Sequence, residues 1–279
     1  MKLTIEHFPF REKFGEEKAF EMLSSVGFDG VDYSFNNTGK GAAIDLEKHV
    51  ESAKRTRKLL DKYGLVANQA HAPFAFQFGE AMDESNKNYK DMIRTIESCS
   101  IIGIKILVVH AVKVPKGGDF FTYNYRYYKS LQPYAEKFGV KIAVENLVNS
   151  IFWLPEKLSK FIEELDSPVF CACVDVGHSA ITGTEPEHYI AGMEKKLIEC
   201  IHMHDTDGKL DRHWIPYQGE HNWENILKAL AEYGFNGDMN LEIIHSFDNL
   251  PTELYLPMLT YIAKVGRFLI DKFDEYKNI

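Results

Sequence analysis

Phe138-Gly139-Val140-Lys141-Ile142-Ala143-Val144-Glu145 is the stretch that decides the fold. An amphipathic segment closes on a glycine, a short run rich in β-branched residues follows, and the run stops on a carboxylate. Glycine just past a helix end supplies the left-handed cap from which the chain turns into a strand. The same cadence recurs in both directions. Ser25-Val26-Gly27-Phe28 precedes Gly30-Val31-Asp32-Tyr33, Lys62-Tyr63-Gly64 precedes Leu65-Val66-Ala67, Ile102-Gly103 precedes an apolar run at 104–109, and Tyr233-Gly234-Phe235 precedes 238–241. Strands are expected at 3–7, 31–34, 66–71, 105–110, 141–145, 169–175, 199–204 and 238–242, each followed by a segment that can be helical. Alternating β and α elements in that number predict a single (β/α)8 barrel over residues 1–279 rather than an open doubly wound sheet.

Bulk properties agree with one domain. The chain has 279 residues, 45% of them hydrophobic, close to the roughly 250 residues of one closed barrel. No low-complexity segment, charge block or Pro/Gly-rich linker divides it. The charged segment at 46–60 suits an outer helix, and a long amphipathic segment at 253–276 suits the closing one. A net charge of −9 disfavours nucleic acid as a partner, because phosphate neutralisation needs clustered Lys and Arg; the loop at 34–41 carries one cation where a DNA-penetrating loop needs several. Glu6 and His7 interrupt any apolar run at the start, and no stretch approaches the roughly 18 apolar residues of a membrane span. A cytoplasmic protein without a membrane role is expected. Cys99, Cys171, Cys173 and Cys200 form no CxxC pair and are expected to be buried free thiols. The aromatic run at 120–128 fits either a substrate wall or interface, or helix packing on the barrel.

The strand ends carry the chemistry. Expected strands three to eight end in His71, His110, Glu145, Asp175, His204 and Glu242. In a parallel barrel all these ends open on the face where active sites of this architecture are built, so six scattered residues should converge. Imidazoles and carboxylates are ligands for a divalent metal ion of zinc, manganese or cobalt type. A lone histidine at a strand end is more often a satisfied polar residue than a ligand. Six such residues together favour a cation, since an unpaired buried carboxylate is costly; Glu145 and Glu242 are hardest to explain without one. His178 follows Asp175 by three residues, and Asp211-Arg212-His213 adds a second acid and histidine. His202 shares a face with His204 and is read either as its supporting partner or as a barrel-interior residue. His7, His49, His188, His221 and His245 are read as structural or solvent-exposed.

His71-Ala72-Pro73, Val108-Val109-His110, Val144-Glu145-Asn146, Asp175-Val176-Gly177-His178, the run from His202 to Gly208, Asp211-Arg212-His213, Gly219 to Trp223 and Leu241-Glu242 together resemble the xylose isomerase-like, or AP endonuclease family 2, superfamily of TIM barrels. The similarity is strongest to its sugar phosphate isomerase/epimerase branch and covers nearly the whole chain. It implies one divalent ion, zinc, manganese, cobalt or magnesium, held by Glu145, Asp175, His204 and Glu242. It also implies Glu145 and Glu242 as the acid/base pair and His178 as a substrate contact. The implied activity is isomerisation or epimerisation of a small polyhydroxylated carbonyl compound, a sugar or sugar phosphate, by proton transfer next to the carbonyl through a metal-stabilised enediolate. His71, His110 and Arg212 are further substrate-binding candidates, Arg212 as the cation for a substrate oxygen or phosphate. The ketose 3-epimerases of the family carry another glutamate six residues after the first, where this chain has Ile151.

Two other activities on the same scaffold stay open, as does a non-catalytic sugar-binding barrel. One is an inosose- or dehydroshikimate-type dehydratase using the same metal and base. The other is an endonuclease IV-like enzyme with a trinuclear zinc site, whose nine ligand types are matched by His71, His110, Glu145, Asp175, His178, His204, Asp211, His213 and Glu242; the flanking segments depart from the nuclease. A homo-oligomer is also left open.

Overall fold

The structure, a computed structural model, describes residues 1–35, 45–74 and 77–278. Most of the loop at 34–41 lies outside the described residues. Eight strands run β1 (Leu3–Glu6), β2 (Gly30–Ser34), β3 (Gln69–His71), β4 (Ile106–Val109), β5 (Lys141–Glu145), β6 (Phe170–Asp175), β7 (Ile198–His202) and β8 (Met239–Leu241). All pair in parallel with their chain neighbours, and β8 returns to β1 with Thr4 opposite Asn240. Between β7 and β8 the ring closes through one parallel bridge, Met203 to Leu241. There Met203 N donates to Asn240 O at 2.9 Å and Glu242 N to Met203 O at 3.1 Å. The chain thus forms the expected (β/α)8 barrel, its strands somewhat shorter than expected. The third strand begins at Gln69, although Val66 still bridges Gly30.

The helices are α1 (Phe8–Phe14), α2 (Glu16–Ser25), α3 (His49–Tyr63), α4 (Phe78–Met82), α5 (Lys87–Ile102), α6 (Phe120–Phe138), α7 (Pro155–Glu164), α8 (Val176–Ile181), α9 (Pro186–Gly192), α10 (Trp223–Tyr233) and α11 (Tyr255–Lys277). The glycine cadence does what the sequence suggests: Gly139 and Gly234 cap α6 and α10 at φ of 65° and 84°, where a side chain would be strained. Among the described residues no helix is long and apolar enough to cross a membrane. The aromatic run at the start of α6 packs inward. Phe121 and Tyr128 meet Phe161 edge-on, Phe120 meets Phe152, and the Tyr128 hydroxyl donates to Val109 O at 2.6 Å.

Strand parity separates two interiors. Leu107, Val109, Ile142, Val144, Ala172 and Val174 join the large core shared with the helices. Their alternates Val108, Ala143, Cys171, Cys173 and Cys200 form a second cluster inside the barrel, as a period of two requires. All four cysteines are buried and free. Toward β1, β2, β3 and β8 the barrel interior turns polar. The Asp32 carboxylate accepts from Gln69 Nε2 at 2.7 Å and from Asn240 Nδ2 at 2.8 Å, and Thr4 Oγ1 donates to Asn240 Oδ1 at 3.0 Å.

Beyond β7 the chain crosses the barrel mouth before α10, and Asp205 holds this crossing. Its buried carboxylate accepts from Thr206 N, Tyr217 N and Trp223 Nε1 at 2.9 Å and from His221 N at 3.2 Å. Four donors on one charge exceed any single contact in the segment, and their loss would strand buried N–H groups. Replacing Asp205 by Ala is therefore expected to cost about 2–4 kcal/mol, read as a lowered urea midpoint. Replacement by Asn, which keeps one oxygen acceptor, should cost less. An Asp205→Ala protein as stable as the parent would show that the crossing is held elsewhere.

Candidate metal centre

Parity delivers the site. Counting by two inside the barrel, Val108 leads to His110, Ala143 to Glu145, Cys173 to Asp175, Cys200 to His202 and His204, Gln69 to His71, and Asn240 to Glu242. All these side chains emerge where the strands end. Asn146 locks two of the ends together: its Nδ2 donates to Asp175 O at 2.9 Å and its Oδ1 accepts from Asp175 N at 2.6 Å. Asp175 Oδ1 also accepts from His178 N at 2.7 Å, starting α8. The α8 backbone comes so near that a Cβ on Gly177 would collide with the His204 ring. His213 sits at φ 47°, a left-handed conformation uncommon outside glycine, and its Nδ1 lies 2.8 Å from Glu242 O.

These residues form one continuous cluster of acids and imidazoles. Glu145 Oε2 lies 2.8 Å from His110 Nε2 and 3.7 Å from His71 Nε2, and its Oε1 lies 3.3 Å from His178 Nδ1 and 3.6 Å from His202 Nδ1. His204 Nε2 stands 3.1 Å from Asp175 Oδ1. Asp211 Oδ2 bridges His178 Nε2 at 3.3 Å and His213 Nε2 at 3.2 Å. Glu242 Oε2 faces His202 Nδ1 at 3.2 Å and His213 Nδ1 at 3.6 Å. His204 and His213 stack with centroids 4.1 Å apart.

His202 combines the two roles that its place two residues before His204 allows. It is fully buried, with Nε2 3.4 Å from Asp32 and Nδ1 turned toward Glu242, Glu145 and Asp175. It is both a barrel-interior residue and a partner of the strand-end carboxylates. Arg212 is not brought in. It binds Asp207 at 2.9 Å and lies over the Trp214 ring, away from the residues lining the cavity. His7 is buried and stacks on Tyr33, and His49 meets Glu97 at 2.8 Å, both structural as expected. His245 is exposed yet borders the cavity.

The electrostatics are those of mutual neutralisation. Burial raises the Glu145 carboxyl, but His110, His178 and His202 overcome it and hold the group well below the usual range. Burial likewise opposes the lowering of Glu242 by His202 and His213. Burial pulls the His71 imidazole down, yet Glu145 and Glu242 lift it to about 9. His213, against the same burial, is lifted to about 10 by Glu242, Asp211 and Asp175.

The donor set fits a divalent cation. Glu145 Oε2, His178 Nδ1 and both ring nitrogens of His202 are buried without a hydrogen bond, although acids and imidazoles stand a few ångströms away. Close approach without hydrogen-bond geometry is what ligand atoms around an ion require. Four triplets each offer ligand atoms within 4.8 Å of one another: His71/His110/Glu145, Glu145/Asp175/His178, Asp175/His202/Glu242 and His204/His213/Glu242. Above them opens a cavity of about 300 Å³, lined also by Glu6, Phe8, Phe74, Ile244 and His245. A groove of about 430 Å³ at the opposite end, beside Lys105, Glu199 and Asp238, lies at the strand starts, the structural end of this architecture.

Known proteins resemble the chain along most of its length. The uncharacterised protein MJ1311 of Methanocaldococcus jannaschii is 28% identical over 204 residues, 69% of each chain. Fructoselysine 3-epimerase of Shigella flexneri is 20% identical over 247 residues, covering 84% of this chain and 87% of that protein. The solved structure of a D-tagatose 3-epimerase-like protein shares the fold with a TM-score of 0.76 at 21% identity, covering 100% of this chain and 98% of its own. The family described as xylose isomerase-like TIM barrel matches residues 20–257, three-quarters or more of the length, and the chain belongs to that family.

Proposed function

We propose that this protein is a metal-dependent epimerase or isomerase of a small polyhydroxylated carbonyl compound, a sugar or sugar phosphate. The observation that carries the reading is the placement of two carboxylates, Glu145 from β5 and Glu242 from the end of β8, in the wall of one cavity, both facing the His202 imidazole. Moving a configuration at carbon takes one base to remove a proton and an acid to return it. The similarity to a fructoselysine 3-epimerase and to a D-tagatose 3-epimerase-like protein agrees with that chemistry.

Glu145, Asp175, His204 and Glu242 are the proposed ligands of the cation, with His71, His110, His178, Asp211 and His213 as the donors for any further ion. A divalent cation held there would supply the fixed positive charge that favours an enediolate over the parent carbonyl compound. The chain's own groups do the rest. Glu145 and Glu242 hold and release the proton, and His178, anchored by Asp211, orients a substrate oxygen. No lysine or arginine is among the described residues lining the cavity, whose charged side chains are carboxylates and imidazoles. The place of the additional glutamate of ketose 3-epimerases belongs to Ile151, which packs against the core in a short 3-10 turn.

One observation favours a second activity, incision of abasic DNA: the donor triplets are numerous enough for more than one ion. A zinc-loaded protein that cut an abasic duplex, held near three metals per chain and exchanged no sugar protons would be a nuclease.

The proton-transfer assignment is checked by solvent exchange. Glu145→Gln and Glu242→Gln proteins, shown to be folded by circular dichroism, should incorporate deuterium from D2O into a ketose about 10²–10⁴-fold more slowly than the parent. Parent-like exchange in either variant would remove that residue from the acid/base pair.

A pH series tests the outer ligands. In the metal-free protein His71 and His213 titrate at about 9 and about 10, above the roughly 6.5 of an unfolded histidine. Their contribution to stability is therefore complete below about pH 6.5 and lost as the pH rises through 9 to 10. Cation binding needs the neutral imidazoles. The gain in melting temperature on adding Mn2+, measured against a chelator control, should then grow between pH 6.5 and 9.5. A constant gain would leave His71 and His213 outside the metal site.

A further inference from the structure

We propose that Glu6, at the end of β1, is a substrate-contacting residue of this cavity, its carboxyl taking a hydroxyl of the bound polyol. The proposal rests on the carbohydrate activity proposed above and adds to it a carboxyl on a strand that supplies none of the metal-site residues.

Parity places Thr4 and Glu6 on the inner face of β1. Thr4 is satisfied by Asn240, whereas one oxygen of Glu6 is not: the side chain is 3% exposed, it lines the cavity, and its Oε2 has no hydrogen-bond partner. The other acids of the mouth, Glu145, Asp175, Asp211 and Glu242, each stand within 4 Å of at least one histidine. No such ion pair reaches Glu6 among the described residues, and Glu6 belongs to none of the donor triplets. It is separate from the metal-holding group while opening onto the same space.

A buried polar group without a partner is costly, and in native proteins a ligand, an ion or a water completes it; the side that Glu6 offers opens onto the cavity. The charges around Glu6 favour an uncharged partner. Burial first, then Glu242 on β8 and Asp32 on β2, push its carboxyl up to about 8, against the pull of His71 on β3 and His213. A carboxyl in that range can accept or donate, and a hydroxyl can answer in either sense. Phe8, Phe74 and Ile244 border the same cavity and offer apolar surface to the C–H edges of a sugar, leaving Glu6 to hold an oxygen.

Glu6→Leu and Glu6→Gln test the proposal in the Mn2+-loaded protein. Binding of D-fructose, D-tagatose, D-psicose and L-ribulose is followed by calorimetry, and deuterium uptake into each sugar by NMR. Glu6→Leu should keep the parent's Mn2+ stoichiometry and melt no lower than the parent, since it removes a polar group that nothing satisfies. Its affinity for the bound ketose should fall by about tenfold or more, the loss expected for one buried hydrogen bond. Glu6→Gln, which keeps a donor and an acceptor, should stay within about threefold of the parent. A Glu6→Leu protein that binds as the parent does, or that melts several degrees lower and sheds its metal, overturns the proposal. If the parent binds ketoses but exchanges no protons, the proposed reaction fails while the Glu6 contact is still decided by the binding arm. If the parent exchanges protons and Glu6→Leu binds equally well, only the Glu6 proposal fails. A parent that binds none of the four sugars overturns both.

Discussion

Three carboxylates buried at the end of a barrel, Glu145, Asp175 and Glu242, set the terms for everything above them. Negative charges taken out of water repel one another strongly at the low effective dielectric of an interior. They persist only where positive charge is supplied. Here imidazoles lifted above their ordinary range supply it: His178 and His202 beside Glu145, His202 and His213 around Glu242. His178, His202 and His213 are useful twice, protonated when the acids stand alone and neutral when a cation replaces the protons.

The barrel is what holds so repulsive an arrangement together. Parallel strands fix the spacing of their ends, and the large core between sheet and helices stabilises the strands independently of what their tips carry. Local devices then finish the placement. Asn146 ties the end of β5 to the end of β6, Asp205 anchors the segment that brings Asp211 and His213 over the mouth, and a glycine at 177 lets α8 approach His204. His213 accepts a left-handed backbone to reach Glu242. Such strain is tolerated where the surroundings over-determine the position, and four hydrogen bonds converging on Asp205 provide that over-determination nearby.

Much of this was legible from sequence because two of its causes are local. Left-handed glycines after helices mark the helix-to-strand turns, and an acid or histidine closing an apolar run marks a strand end on the open face. What escaped was non-local. Glu6 is hidden in the sequence because the apolar pattern extends the first strand through His7, which makes the histidine, not the acid, the terminal residue, whereas β1 ends at Glu6. Thr4 and Asn240, polar and inward, carried the correct parity but reveal it only once β1 and β8 are known to pair. Arg212 looked available because of its sequence neighbours, and nothing in the sequence announces that Asp207 and Trp214 engage it. The polar interior around Asp32 departs from the branched apolar filling usual for such barrels, so no pattern of hydrophobicity could place it.

That polar interior also explains why the site can be both deep and rigid. A floor of methyl groups would hold the mouth residues by shape alone and leave His202 Nε2 facing no opposite charge. Asp32 instead faces His202 at 3.4 Å and is itself held by Gln69 and Asn240, so the imidazole that meets Glu145, Asp175 and Glu242 is backed by a carboxylate with fixed orientation. A histidine braced in this way keeps one nitrogen turned toward the acids whatever occupies the cavity. The chain from Asn240 and Gln69 through Asp32 and His202 to Glu242 links β8, β3, β2 and β7. Orientation of the two glutamates therefore depends on the closed circle of strands, and an open sheet with the same strand ends could not supply it.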